Sequence, residues 1–338
     1  LKVCWHYLAH SLFVMQQSSK WKLFVSSCFS KVSRRNLWQL LSQSRMHVVA
    51  CLSICSITFI CSIWISLSTS RFLFPAMQRW SIHTAADLKW SHATNSQQLL
   101  SEVLNGGSHH MIEADILMGT TNASAGTTPI MAHPPSRTSD LTLDHFLRRV
   151  VAHNRASPKN RHVGVKLDFK DPEAVSKCLK ILKSYKEDDL PAIWLNADIW
   201  SGPGGRAPKF NAAVFLNESL RVCDSPRWAL SVGWTTDGFT EPYNTSHVEA
   251  AIQSLRNAQR ENNKCLVSFA VRAYSAYLGM QSMRQLLAAN AAYTLTVWGE
   301  LPEPQCCAWL ATLKKTGRVF VDTKPPEACQ NDSLSSVS

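Results

Sequence analysis

Between residues 88 and 323, eight short apolar runs alternate with stretches of helical periodicity, and this alternation restricts the fold more than any other feature. The runs are LKWSHA (88–93), MIEADILM (111–118), VGVKLDF (163–169), AIWLNADI (192–199), ALSVGW (229–234), LVSFAVRA (266–273), YTLTVWG (293–299) and RVFVDT (318–323). Their β-branched and aromatic content reads as strand. Between them, SQQLLSEVLNGG, LTLDHFLRRVVAHN, PEAVSKCLKILKSY, HVEAAIQSLRNAQR and MQSMRQLLAANA place apolar residues at helical spacing. Gly106 and Gly107 read as a C-cap, Asp140 as an N-cap and Pro172 as a first helical residue. Such alternation predicts an α/β fold with a parallel sheet, and eight repeats predict a closed (β/α)8 barrel of the TIM type. A barrel of this kind takes ~250 residues, which places it at residues 80–325 of the 338, with a tail at 326–338 that reads as disordered. The weakest repeat is the fourth, where Gly202, Pro203, Gly204, Gly205 and Pro208 make a long loop before the next helix.

Side chains alternate along a strand, so residues i and i+2 share a face. Glu113 and Asp115 therefore share one face, as do Lys166, Asp168 and Lys170, and Asn196 and Asp198. The opposite parity is apolar in each case: Ile112, Ala114 and Ile116; Val165, Leu167 and Phe169; Leu195, Ala197 and Ile199. Helices cover the outside of a barrel, so the apolar parity must face outward and the charges inward. Buried charge is costly unless it is paired or binds a metal. These residues also approach the C-terminal strand ends, where barrel enzymes place their sites. Glu113, Asp115 and Asp168 are hard oxygen donors suited to one Mg²⁺ or Ca²⁺. His92 ends the first run and His133 follows PIMA in an extended segment fixed by Pro134 and Pro135, which suits general acid and base roles. Lys170 is placed to neutralise a phosphate. Lys166, Asn196, Asp198, Arg272 and Trp298 are candidate substrate contacts; Lys166 is equally explained as a counter-ion, and Arg272 and Trp298 as barrel packing.

The formal net charge of +11 is concentrated at one end of the chain. Residues 1–80 carry nine Lys and Arg and no acid, which leaves 26 basic against 24 acidic residues in the rest. That distribution argues against nucleic acid as a partner of the barrel. Within the basic segment 1–79, residues 48–67 (VVACLSICSITFICSIWISL) are uncharged and mostly apolar, about the length of a spanning helix. The flanking charges favour an inside N-terminus and a barrel outside the cell. The first residue is Leu1; were translation to begin at Met46, the stretch would read as a secretory signal or anchor. A Ser-rich transit peptide or a mistranslated exon are the competing explanations. Eleven cysteines include no C-x-x-C pair, which argues against zinc, and four N-x-S/T sequons at Asn122, Asn217, Asn244 and Asn331 are compatible with a secreted glycoprotein.

WSHATNS (90–96), MIEADIL (111–117), PIMAHPP (129–135), GVKLDFK (164–170), WLNADI (194–199), LSVGWTT (230–236) and YTLTVW (293–298) together resemble the menorin family. The resemblance implies the barrel of the PLC-like, glycerophosphodiester phosphodiesterase superfamily. It implies catalytic roles for His92 and His133, a metal pair in Glu113 and Asp115, and an acid–x–Lys pair in Asp168 and Lys170. Trp298 takes the position of a substrate-side tryptophan. Ala93 and Thr94 stand where that superfamily has Arg-Gly after the first histidine, and VDTKPPEACQNDS replaces the acidic and aromatic closing segment. Two functions follow as expectations. One is a metal-dependent phosphodiesterase, or a phospholipase-D-like lyase, acting on a phosphodiester or phospholipid-like small molecule. The other is a non-catalytic extracellular binding module that meets cell-surface adhesion proteins in neuronal patterning.

Overall fold

A computed structural model of the chain describes residues 75–121, 124–236, 241–258 and 265–323. The apolar stretch 48–67 and the tail 326–338 lie outside the described residues. Among the described residues, no helix is long and apolar enough to cross a membrane.

All eight predicted strands form. They are β1 (Trp90–Ser91), β2 (Met111–Thr121), β5 (Gly164–Phe169), β6 (Ile193–Ser201), β7 (Trp228–Thr235), β8 (Leu266–Arg272), β9 (Tyr293–Trp298) and β10 (Val319–Asp322). Each pairs in parallel with the next along that order, giving a nearly closed barrel. Two further strands, β3 (Ser124–Met131) and β4 (Thr138–Ser139), lie off this path and both pair with β2. β3 runs antiparallel to β2, Ile116 opposite Met131, so the segment PIMAHPP begins as a strand and carries His133 back over the barrel mouth. The loop of the fourth repeat ends at the helix Ala212–Val222, capped by Asn211, which accepts from the Val214 amide.

Two helix ends follow their sequence signals and one departs from its signal. Gly107 takes φ of 59° as the C-cap of Gln97–Gly106, a backbone conformation that favours glycine. Pro172 opens the helix Pro172–Lys183, capped by Asp171. Asp140 does not cap the helix Leu143–Ala156; Thr142 does, by accepting from the His145 amide. Asp140 instead accepts from the Gln97 amide at 3.2 Å, so it serves the start of the earlier helix. A carboxylate favours any nearby helix N-terminus, and tertiary contact selected the other one.

The barrel has a dry end and a wet end. At the N-terminal end, Ala76, Met77, Trp80, Ala85 and Leu88 from the entering segment pack with Met111, Trp194, Ala229, Leu266 and Phe320 from inside the strands. Trp194 meets Trp90 and Phe320 edge-on, with ring centroids 5.2 and 4.8 Å apart. Above that floor the inward residues become polar: Lys166, Glu113, Ser231, Ser268, Thr294 and Thr296 are all buried. The outward parity (Ile112, Ala114, Ile116, Val165, Leu167, Phe169, Leu195, Ala197 and Ile199) joins the main core under the helices, as alternation required.

One buried side chain ties the outer layer together. Asn154, fully buried, donates to the carbonyls of Val163 at 2.9 Å and Asp189 at 2.8 Å, and accepts from the Val163 amide at 2.8 Å. Truncating it strands those backbone groups away from water. Asn154→Ala should cost roughly 2–3 kcal/mol, read as a lower urea midpoint with an unchanged m-value. The Trp80→Ala variant opens the floor instead, and its thermal midpoint should fall by an amount equivalent to about 3–5 kcal/mol. A midpoint that does not move would show that the entering segment is not part of the core.

Candidate functional site

The polar end of the barrel opens into a cavity of about 360 Å³, lined by His92, Ala93, Asn95, Glu113, Asp115, His133, Lys166, Asp168, Lys170, Asn196, Asp198, Ala270, Trp298 and Asp322. Every candidate named from the sequence lines this cavity except Arg272. Arg272 lies at the end of β8 and places its guanidinium 5.5 Å from the centre of the Trp298 ring, so it touches the mouth through that ring.

The lining divides into two charge networks. In the first, Glu113 on β2 accepts from His92 Nδ1 through Oε2 at 3.0 Å and meets Lys166 Nζ through Oε1 at 3.4 Å. Lys166 and Glu113 are both about 5% exposed. Lys166 also lies over the Trp90 ring, 5.3 Å from its centre. Burial pulls the Lys166 ammonium down, but Glu113, Asp322 and Asp168 outweigh it and hold the group above the usual lysine range. The same His92 nitrogen lies 3.4 Å from Asp322 Oδ2. The carboxylates of Asp322 and Glu113 raise the His92 imidazole to about 10, against burial, so it is an imidazolium at neutral pH.

In the second network, Lys170 sits between two acids, with Nζ 2.6 Å from Asp168 Oδ2 and 3.2 Å from Asp115 Oδ1. Burial pulls this ammonium down too, and the charges of Asp168 and Asp115 more than reverse the effect. Asn196 on β6 donates to Asp168 Oδ1 at 2.9 Å and accepts from the Ser231 hydroxyl at 2.6 Å. Asn95 holds the other acid: its amide donates to Asp115 Oδ2 at 2.8 Å, and its carbonyl accepts from the Asp115 backbone amide at 2.9 Å. Asn95 reaches back because Ala93 takes a left-handed φ of 49° and turns the chain after His92. An L-residue pays for that conformation, and the return is a doubly held Asp115.

His133 is exposed at the rim, two residues beyond β3, with Nδ1 2.7 Å from the Pro134 carbonyl. Asp198 sits at the C-terminal end of β6. Burial and the charge of Asp168 push its carboxyl up to about 7.

Two residues of the site had not been singled out in the sequence. Asn95 belongs to a loop, where no periodicity points inward. Asp322 pairs in register with Trp298 on β9 and shares its inward parity, so the alternation that placed Glu113 and Asp115, applied to the eighth run, points to it. Asp322 bears on metal binding. His92, once deprotonated, Glu113 and Asp322 bring potential ligand atoms within 4.8 Å of one another. Asp322 Oδ2 is buried and accepts no hydrogen bond. An oxygen held only by the His92 ion pair, in a lining with five carboxylates against two ammonium groups and one imidazolium, fits a hard divalent cation. Glu113, Asp115 and Asp168 all face that space, although Asp115 and Asp168 are already bridged by Lys170.

Residues 84–326 match the family model for the Menorin N-terminal domain. The chain is also 32% identical to Protein FAM151B of Homo sapiens over 213 residues, which is 63% of this chain and 72% of that protein. The chain belongs to the menorin family.

Proposed function

We propose that this menorin-family barrel is a divalent-metal-dependent phosphodiesterase of the PLC-like, glycerophosphodiesterase type. The observation that carries the reading is the convergence of His92, Glu113, Asp115, His133, Asp168 and Lys170 on one cavity at the C-terminal end of the barrel. Glu113, Asp115 and Asp168 would hold one Mg²⁺ or Ca²⁺, which when bound supplies positive charge to the phosphoryl oxygens. His92 is charged and held by two carboxylates, so it is positioned to give a proton to a leaving alcohol. His133 stands at the rim and would accept the proton of the attacking hydroxyl or water. Lys170 is the anion-facing cation, and Asn196, Asp198, Arg272 and Trp298 are the substrate contacts.

Lys166 plays a different part from Lys170. It lies against Trp90 and pairs with Glu113 at the inner end of the cavity lining. Its task is to neutralise Glu113 from below.

A second reading keeps the barrel as a non-catalytic extracellular module for cell-surface adhesion proteins. It is favoured by the way Lys170, Asn95 and Asn196 already satisfy Asp115 and Asp168 without a metal. The disulfide at Cys307 supports an extracellular or luminal barrel under either reading. Membrane attachment would come from residues 48–67.

The decisive experiment supplies the purified protein with Mg²⁺ or Ca²⁺ and a panel of glycerophosphodiesters, lysophospholipids and sphingomyelin. Hydrolysis is expected, with chelation abolishing it and Glu113→Ala or His92→Ala lowering it by about 100-fold or more. If neither cation raises the melting temperature, and wild type equals Glu113→Ala on every substrate, the enzyme reading falls.

The two lysines should separate cleanly. Lys166→Met leaves the buried Oε1 of Glu113 without its ammonium, only His92 remaining on the other oxygen, and should destabilise the fold by about 3 kcal/mol, seen in chemical denaturation. Lys170→Met should change the melting temperature less and weaken inorganic phosphate binding measured by calorimetry.

A further inference from the structure

Asp198 belongs to neither charge network. Each of the other four carboxylates in the cavity has a cation or amide donor nearby. Glu113 has His92 and Lys166, Asp115 has Asn95 and Lys170, Asp168 has Asn196 and Lys170, and Asp322 has His92 at 3.4 Å. Among the described residues, no hydrogen bond or ion pair reaches the Asp198 side chain. Lys170 and Lys166 act on it only at a distance.

The carboxylate packs close against the neighbouring strand. Its neighbour in register on β7 is Gly233, where an added Cβ would lie 2.7 Å from Asp198 Oδ1 and 2.9 Å from the Ala270 carbonyl. Ala270, which also lines the cavity, is the next small residue along. Glycine and alanine there let the Asp198 carboxylate lie close against the next strand while it lines the cavity.

Charge balance says which kind of group. The cavity's five carboxylates are matched by two ammonium groups, the His92 imidazolium and the divalent cation proposed above, so a phosphodiester leaves one negative charge over. An alcohol moiety that carries its own positive charge offsets that charge, and a neutral one does not. We infer that Asp198 receives an ammonium group on the substrate, so that the phosphodiesters taken by this cavity are zwitterionic and amine-bearing, of the phosphoethanolamine class. The inference rests on the phosphodiester reading above. The raised Asp198 carboxyl agrees with it, because burial and the Asp168 charge together disfavour an anion that has no partner, and an ammonium would supply one.

The test uses two probes of equal length and equal phosphate charge: O-phosphoethanolamine, and propyl phosphate, which has a methyl group in place of the ammonium. Titration calorimetry with the full chain in Mg²⁺ should give phosphoethanolamine about a tenfold lower Kd, the effect of one good charged contact. Asp198→Asn should bring the two Kd values together. Should Asp198→Asn fold poorly by its melting curve, Asp198→Ser makes the same demand. Equal affinities in wild type, or a preference that survives the substitution, overturns the ammonium assignment and leaves the phosphodiester reading standing. If neither probe binds, the phosphate-binding reading fails and the assignment fails with it.

Discussion

The ion pair between Lys166 and Glu113, inside the barrel and nearly out of reach of water, is the interaction on which the rest of the site depends. Taking two such charges from water costs several kcal/mol each, and apolar residues of similar size would fill the space more cheaply. The pair persists because of where it lies. Below it, Trp90, Trp194 and Phe320 exclude solvent. Above it, Glu113 hands its second oxygen to His92. The lysine thus turns an apolar barrel core into a floor that can carry acid, and every carboxylate nearer the mouth is built on that floor.

His92 shows the consequence. Its side chain is two-thirds exposed, so packing does not fix the ring. Two carboxylates hold it on the same nitrogen, one from the second barrel strand and one from the last. A ring fixed at Nδ1 presents Nε2 outward, which is the arrangement a proton donor requires. Asp322 therefore couples the final strand of the barrel to the first, where β1 and β10 share no recorded backbone ladder. The chemistry of the site and the closure of the barrel meet in that one contact.

The sequence made the barrel legible because its signals were repeated. Eight runs, each with an apolar parity facing its helices, cannot be placed many ways, and all eight became strands. The same alternation put Glu113, Asp115, Lys166, Asp168, Asn196 and Asp198 inside. It was weaker where a strand was short: β10 has four residues, and its single inward acid, Asp322, was not singled out. It had nothing to say about Asn95, whose role depends on a left-handed turn at Ala93 that periodicity does not encode. Asp140 was misread for a related reason. Local spacing offered it the helix that follows, whereas the fold brought the N-terminus of an earlier helix within 3.2 Å. Side-chain partners were the least legible feature, since which lysine serves which acid follows from the register between strands.

Lys170 is where the enzyme reading and the binding-module reading divide. Asp115 and Asp168 face each other in register on β2 and β5, and two adjacent carboxylates repel unless a cation lies between them. Here that cation is the Lys170 ammonium. A divalent ion on the same oxygens and the ammonium are alternatives, because both require the lone pairs directed into one small space. An enzyme of this type needs the lysine on the phosphate and the metal on the acids, whereas a module that only binds needs neither and is complete as it stands. Asp198, buried in the same cavity but outside both charge networks, is the carboxylate that these internal pairings leave to a ligand under either reading.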